Sequence, residues 1–316
     1  MRAVDHTFAE LDLPKPSPSG RDLLVKVEAV SVNPVDYKQR KQATSSRILG
    51  WDAAGTVTAV GSQAELFKPG DTVYYAGDVT RPGCNSEFHL VDERIVGRKP
   101  KTLDFAQAAA MPLTSITAWE AFFDRMKVQA GKRMLIISGA GGVGSIGIQL
   151  AKQAGLHVIA TASRADSVAW VKSLGADEVV SHRQSLTAQI KNPVDYIANF
   201  SGDLDAYWDA MAELVAPQGA LVAIVGNTKP LPMDAVRMKS ATVCWELMFT
   251  RPRFKTPDMI EQHRLLNKVA EWLDAGKLRG TLKETLSPIN GANLRKAHER
   301  LESGTMIGKL VLKGWS

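Results

Sequence analysis

Residues 135–150 read LIISGAGGVGSIGIQL, and the fold follows from how this stretch is read. The run that begins at Arg133 is apolar through Ile137, short enough for a buried strand. Gly139-Ala140-Gly141-Gly142-Val143-Gly144 then matches GxGxxG, and an amphipathic helix over residues 143–153 is expected to start inside the match. Each glycine has its own physical reason. Gly139 permits a tight turn out of the strand, Gly141 lets backbone approach a pyrophosphate, and Gly144 brings helix and strand close together. The helix N-terminus then presents unpaired N–H groups and a positive dipole end to phosphates. A plain glycine-rich turn is the alternative, but the strand before it and the helix after it favour a dinucleotide site.

Moving outward, strand-like and helix-like segments alternate. Strands are expected at residues 156–162 (LHVIATA), 194–200 (VDYIANF) and 220–225, with helices at 166–174 and 204–215 and an apolar β-prone run at 241–249. Near-continuous apolar strands separated by amphipathic helices predict an α/β fold, a doubly wound parallel sheet covered on both faces. Upstream, residues 22–32 alternate apolar and charged side chains, residues 55–61 are β-branched and bounded by glycines, and Lys68-Pro69-Gly70-Asp71 is a turn before a strand at 72–76. That part predicts a β-rich domain. Residues 105–126 look helical with one break at Pro112. After Arg251 come an expected helix (259–275), a strand (281–286), a helix (293–302) and a strand (309–313), read as a return to the first domain. The expected division is therefore 1–113, 114–254 and 255–316.

The 316 residues suggest about two domains. No apolar run is long enough for a transmembrane helix, and the N-terminal stretch lacks a continuous apolar segment, so neither a membrane span nor a signal peptide is expected and a cytoplasmic location is the default. Two cysteines, Cys84 and Cys244, argue against a disulfide framework. The formal charge is +6, but the basic residues are scattered rather than blocked, which favours solvated faces or an anionic small molecule over nucleic acid.

The second strand separates NAD from NADP. An NAD site usually places Asp or Glu at that strand's end to hold the ribose hydroxyls. Here the strand ends Thr161-Ala162-Ser163-Arg164. A serine hydroxyl and a forked guanidinium suit a 2′-phosphate, so NADPH is the expected cofactor. A surface arginine with no ligand is the alternative. His182, within Ser181-His182-Arg183, is expected to flank the adenosine side.

With these residues in view, the chain resembles the medium-chain dehydrogenase/reductase superfamily, and within it the zinc-free quinone oxidoreductase branch labelled zinc-type alcohol dehydrogenase-like. The markers run through nearly the whole length: 30–36 (VSVNPVD), 49–55 (LGWDAAG), 68–71 (KPGD), 112–119 (PLTSITAW), the glycine turn, and 307–312 (IGKLVL). The resemblance implies a Rossmann domain inserted in a GroES-like, β-rich catalytic domain, with the cofactor in the cleft between them, and a homodimer built by pairing edge strands, for which 241–249 is the candidate. It also implies a test for metal. Zinc-dependent relatives carry a cysteine where this chain has Asn33, a His-Glu pair where it has Trp51-Asp52, and a third ligand near Leu113. Cys84 and His89 offer half a site with no evident partners, so no zinc is expected.

Without a metal, alcohol oxidation loses its means of ionising the alcohol. Hydride transfer from NADPH to a quinone or an α,β-unsaturated carbonyl remains open. The expected catalytic residues are Asn33, to orient a substrate oxygen or the nicotinamide ribose, and Tyr37 or Lys38 as proton donor or oxyanion partner; the alternatives are that Asn33 only shapes the turn before Pro34 and that Tyr37 and Lys38 are surface residues. Relatives often carry a tyrosine at the place of Lys38. Trp51, Trp245 and Phe249 are candidate walls for a planar substrate, with core packing as the alternative. By family analogy Thr114 and Thr117 lie near the nicotinamide. Phe200 and Ser201, and Gly226 and Asn227, sit at strand ends where such sheets bind ligands. Lys309 is expected to reach the phosphates, or else to be a solvated strand charge. The competing functions are a zinc-dependent alcohol dehydrogenase and a non-enzymatic nucleotide- or RNA-binding protein.

Overall fold

The computed structural model describes residues 1–315. In chain order the elements are β1 (Arg2–Val4), β2 (Glu10–Asp12), β3 (Asp22–Ser31), α1 (Pro34–Gln42), β4 (Ala53–Val60), β5 (Thr72–Tyr75), β6 (Phe88–Asp92), β7 (Val96–Arg98), α2 (Phe105–Ala109) and α3 (Pro112–Trp119). A π-helical stretch, Glu120–Arg125, leads into β8 (Arg133–Ile137), α4 (Gly142–Gln153), β9 (His157–Thr161), α5 (Ala165–Ser173), β10 (Glu178–Val180) and α6 (Leu186–Gln189). Next come β11 (Val194–Asn199), α7 (Trp208–Leu214), β12 (Val215–Ala223), α8 (Asp234–Arg237) and β13 (Thr242–Trp245). The chain ends with α9 (Thr250–Phe254), α10 (Ile260–Asp274), β14 (Leu282–Leu286), α11 (Gly291–Glu302) and β15 (Lys309–Lys313).

Two compact units form: Met1–Ile116 together with the chain from Phe249 onward, and Thr117–Met248. The first carries a seven-stranded sheet along the path β14-β15-β3-β4-β5-β7, with β6 also on β3. Its core is built from Val25, Val27, Val30, Val73, Val96 and Leu312 among others, the inward residues of these strands. The second carries a six-stranded sheet ordered β10-β9-β8-β11-β12-β13, with every pairing parallel. That order reverses direction between β8 and β11, the crevice where an open α/β sheet takes its ligand. The architecture is therefore the expected one, a Rossmann sheet inserted in a β-rich domain. No helix among the described residues is long and apolar enough to cross a membrane.

Three local expectations are corrected. The helical stretch at 105–126 is broken at Pro112 as expected, where α3 starts, but it has a third piece, because the backbone widens to a π-helix after Trp119. The helix expected at 204–215 is shorter: α7 runs straight into β12 at Val215, and Pro217 and Gly219 lie where the β11–β12 register shifts. The apolar run 241–249 yields only the four-residue edge strand β13; Glu246 next to it is buried, and Phe249 belongs to the other unit.

Candidate active site

In the glycine turn the left-handed residue is Ser138 rather than Gly139, where the tight turn is expected from the sequence. Ser138 takes a left-handed φ of 65° as the chain leaves β8, and its N–H donates to Thr161 Oγ1 at 2.9 Å. The Gly139 N–H then reaches Thr161 O at 3.2 Å, tying the turn to β9. A Cβ at Gly144 would sit 2.2 Å from Ser138 O, so only glycine lets α4 come this close to the strand. At Gly141, the N-cap of α4, a Cβ would meet only Ser138 within 4 Å, which leaves its outer side open for a phosphate to meet the helix N-terminus. Gly144→Ala is accordingly expected to push α4 off β8, costing roughly 1–3 kcal/mol and abolishing nucleotide binding; an unchanged thermal midpoint with normal nucleotide affinity would contradict this.

Parallel pairing of β9 with β10 matches Thr161 to Val180, and carrying that register on two residues sets Ser163 opposite His182. Their side chains meet, Ser163 Oγ to His182 Nε2 at 3.2 Å. Arg164 follows as the N-cap of α5, its Nε 3.3 Å from Asp166 Oδ1 and its side chain partly exposed. Partial burial, with Arg183 and Arg164 nearby, holds the His182 imidazole below its usual range. Three residues expected at the adenosine end are thus drawn together beside the glycine turn, with no acid in the place of a ribose-binding carboxylate.

The other strand ends differ among themselves. Gly226 and Asn227 are exposed beyond β12, and a Cβ on Gly226 would meet nothing within 4 Å. Ser201 is half-buried and donates through Oγ to Asn199 Oδ1 at 2.7 Å. Phe200 is corrected: its ring packs inward on Phe122, centroids 5.8 Å apart, and against Gly147, so it serves the core rather than a cofactor face. Thr114 and Thr117 are buried, and Thr114 Oγ1 donates to Met111 O at 3.2 Å.

In the first unit, β15 runs antiparallel to β3 with Val311 opposite Ser31, which brings Lys309 opposite Asn33. β4 lies on the other side of β3, and the Ser31 N–H donates to Asp52 O at 2.9 Å. Three polar side chains thereby converge inside the unit. Lys309 Nζ contacts Asp52 Oδ2 at 2.9 Å, Val32 O at 3.2 Å and Asn33 Oδ1. Asn33 Nδ2 donates to Asp52 Oδ2 at 2.8 Å, and the Leu113 N–H caps Asp52 Oδ1 at 2.8 Å. Both expectations for Lys309 are therefore overturned. It is buried, not a solvated charge, and its three N–H donors are all committed, leaving none for a phosphate. Asn33 is likewise corrected from a substrate-orienting group to a buried strut between Lys309 and Asp52. Burial pushes Asp52 up, while Lys309 and Asn33 pull it back. Asp36 completes the cluster at the start of α1: it accepts from the Asn33 N–H, and burial raises it to about 7.

Tyr37 and Lys38 follow on α1. Tyr37 is half-buried with Lys41 Nζ 5.4 Å from its ring centroid, and burial together with Glu302 raises its phenol above the usual range. Lys38 is exposed. Trp51 and Phe249 do meet, edge to face at 6.3 Å, and the Trp51 indole donates to Asp78 O, but both rings are buried, which is core packing rather than a substrate wall. Trp245 belongs to the other unit, where it is 46% exposed and bonded to Val225 O, so it is not part of that aromatic pair.

A second buried charged cluster escaped the sequence reading. Glu246 beside β13 takes Arg125 Nε at 2.9 Å, and Glu120 of the π-helix is its carboxylate neighbour. Burial and the neighbouring Glu120 push Glu246 far above the usual carboxylate range. The only sequence signal was a carboxylate on each of two otherwise apolar stretches.

Comparison with known proteins bears on this arrangement. Residues 19–103 match the alcohol dehydrogenase GroES-like domain family, and residues 174–312 match the zinc-binding dehydrogenase family. A zinc-type alcohol dehydrogenase-like protein of Staphylococcus aureus is 44% identical, over 94% of this chain and 92% of its own. The chain belongs to the medium-chain dehydrogenase/reductase superfamily. This oxidoreductase is also similar to a crystal structure from Rhizobium etli CFN 42, provisionally described as a zinc-dependent alcohol dehydrogenase, at 50% identity and TM-score 0.96, covering 100% of this chain and 98% of that one. The quinone oxidoreductase of Coxiella burnetii is 29% identical with TM-score 0.85, covering 99% of both chains. The NADPH-dependent alkenal/one oxidoreductase of Arabidopsis thaliana is 29% identical over 98% of this chain and 76% of its own.

The family's zinc does not fit the donors of this member. Among the described residues no three His, Cys, Asp or Glu side chains converge as metal ligands. Asp52 and Asn33 are spent on Lys309 and on each other. His89 is held at Nδ1 by Tyr75 Oη (3.1 Å) and at Nε2 by Pro82 O (3.0 Å), and Cys84 Sγ rests 3.4 Å from Asp52 O with its thiol raised by burial. Tetrahedral zinc needs three or four such donors together.

Proposed function

We propose that this oxidoreductase is an NADPH-dependent reductase that delivers hydride to a quinone or an α,β-unsaturated carbonyl without a metal. The observation that carries the reading is the Lys309–Asp52–Asn33 network. A side-chain ammonium satisfies the carboxylate at the positions where zinc-dependent relatives place ligands, so no Lewis acid is available to ionise an alcohol. Acceptors that are already electrophilic then remain. The names of the Coxiella and Arabidopsis relatives point to the same acceptor classes.

Bound NADPH would supply the hydride, and the protein supplies position and a proton. The Gly139–Gly144 turn and the α4 N-terminus would hold the pyrophosphate. Ser163, Arg164 and His182 would take the 2′-phosphate. Tyr37, a phenol that burial raises further above its usual range, is an O–H donor for the developing oxyanion. Lys38 is the alternative donor on the same turn of α1.

The test is NADPH oxidation by the purified protein with a quinone, a 2-alkenal and a saturated aldehyde, alongside metal analysis. Turnover with the first two, none with the third, and no loss on chelation is the expected pattern. Stoichiometric zinc with chelator-sensitive alcohol oxidation would overturn the metal-free mechanism.

A further inference from the structure

We infer that His182 takes up a proton from solvent when a nucleotide bearing a ribose 2′-phosphate binds, making recognition of that phosphate a proton-linked event. The inference rests on the NADPH reading and adds to it a pH dependence. Its basis is geometric. The β9–β10 register puts the imidazole against the Ser163 hydroxyl at 3.2 Å, at the end of the strand where a dinucleotide's ribose is read. The charged groups acting on the ring are Arg183, beside it in the chain, and Arg164 at the head of α5, whose own partner is Asp166 at 3.3 Å. From α6, the uncharged Gln189 accepts the N–H of the neighbouring Ser181 at 2.8 Å.

In the free protein, two guanidiniums and partial desolvation keep this imidazole neutral near pH 7. A phosphate monoester is a dianion above about pH 6. Set among these groups, it reverses the local potential and favours the imidazolium. Protonation matters for bonding as well as charge, because imidazole has one N–H donor and imidazolium has two. In the Nδ1–H tautomer Nε2 accepts from the Ser163 hydroxyl, so protonating Nε2 reverses that bond and frees the serine O–H to donate to the phosphate. A single proton thus turns a pair bonded to itself into one that points donors at the ligand. An unphosphorylated ribose brings no anion and drives no such uptake.

Calorimetric titration of the full chain with NADPH, 2′,5′-ADP and NADH, in buffers of different ionisation enthalpy at about pH 7.5, counts the protons. Uptake approaching one proton is expected for the two phosphorylated ligands and none for NADH. The NADPH Kd should rise with pH, up to about tenfold per unit, between about pH 6.5 and 8. His182→Gln, on an exposed loop, should flatten that dependence and remove the uptake while NADPH still binds. The same proton count and slope in wild type and H182Q would overturn the inference and leave the NADPH reading standing. Equal affinity for NADPH and NADH, with no binding of 2′,5′-ADP, would instead remove the reading on which it rests.

Discussion

Replacing Lys309 by methionine lowers the stability of the β-rich unit by about 3–5 kcal/mol, an expected shift in thermal midpoint on the order of 10 °C. The methionine fills similar volume, so packing is not the main loss. What remains is the Asp52 carboxyl, buried with only the Asn33 amide and the Leu113 N–H as partners. Lys309 is the largest of the influences that hold Asp52 down against burial, so its removal sends the Asp52 pKa further up. The sign follows from linkage. A carboxyl raised above its unfolded value gives stability that is present below that unfolded value and lost as pH rises through the folded one. The deficit of K309M should therefore be small in acid and grow toward neutral pH. Adding Asp52→Asn should recover most of it, because the pair is then removed together rather than broken. Chemical denaturation of wild type, K309M, D52N and the double variant over a range of pH checks this. Additive losses, or a deficit independent of pH, would mean that Lys309 acts through packing alone.

Arg164→Ala is expected to weaken NADPH binding by about 10–100-fold, the equivalent of one charge-assisted contact worth about 1.5–3 kcal/mol, and to leave NADH binding unchanged. Arg164 is the guanidinium at the end of β9, partly exposed and aimed from the head of α5. Its forked geometry matters, so Arg164→Lys should recover only part of the loss. Fluorescence titration with the two reduced cofactors reads the effect. A parallel loss for NADH would place Arg164 in the fold of α5 rather than at a phosphate, and no loss for either would remove it from the site.

The polar groups of the chain differ in how far the sequence shows their placement, for a physical reason. That Ser163, Arg164 and His182 lie along one rim was legible because each falls just past the end of a parallel strand, at a fixed offset from the local motif; their part in binding a cofactor is what we propose. Lys309 was misread because a lysine at the head of the strand KLVLK looks the same in sequence whether its ammonium meets water or a carboxylate. Its partners are 257 and 276 residues away, and only the pairing of β15 with β3, and of β3 with β4, brings them within reach. Phe200 was misread for the converse reason: its backbone ends the right strand, but its ring turns inward to Phe122. Glu120 and Glu246 needed an edge strand to lie along a π-helix, a packing with no local signature.

The glycine turn at 139–144, the alternation of apolar strands and amphipathic helices around it, and the missing acid after β9 were determined by the sequence by itself. Those features depend on contacts between near neighbours, in which the backbone freedom of glycine and the period of apolar residues act directly. Tertiary structure alone decided that Lys309 is an internal counter-ion, that Asn33 is a strut and not a substrate ligand, and that Ser163 and His182 touch. Those depend on strand register across the chain, and a buried charge is stable only where register delivers its partner.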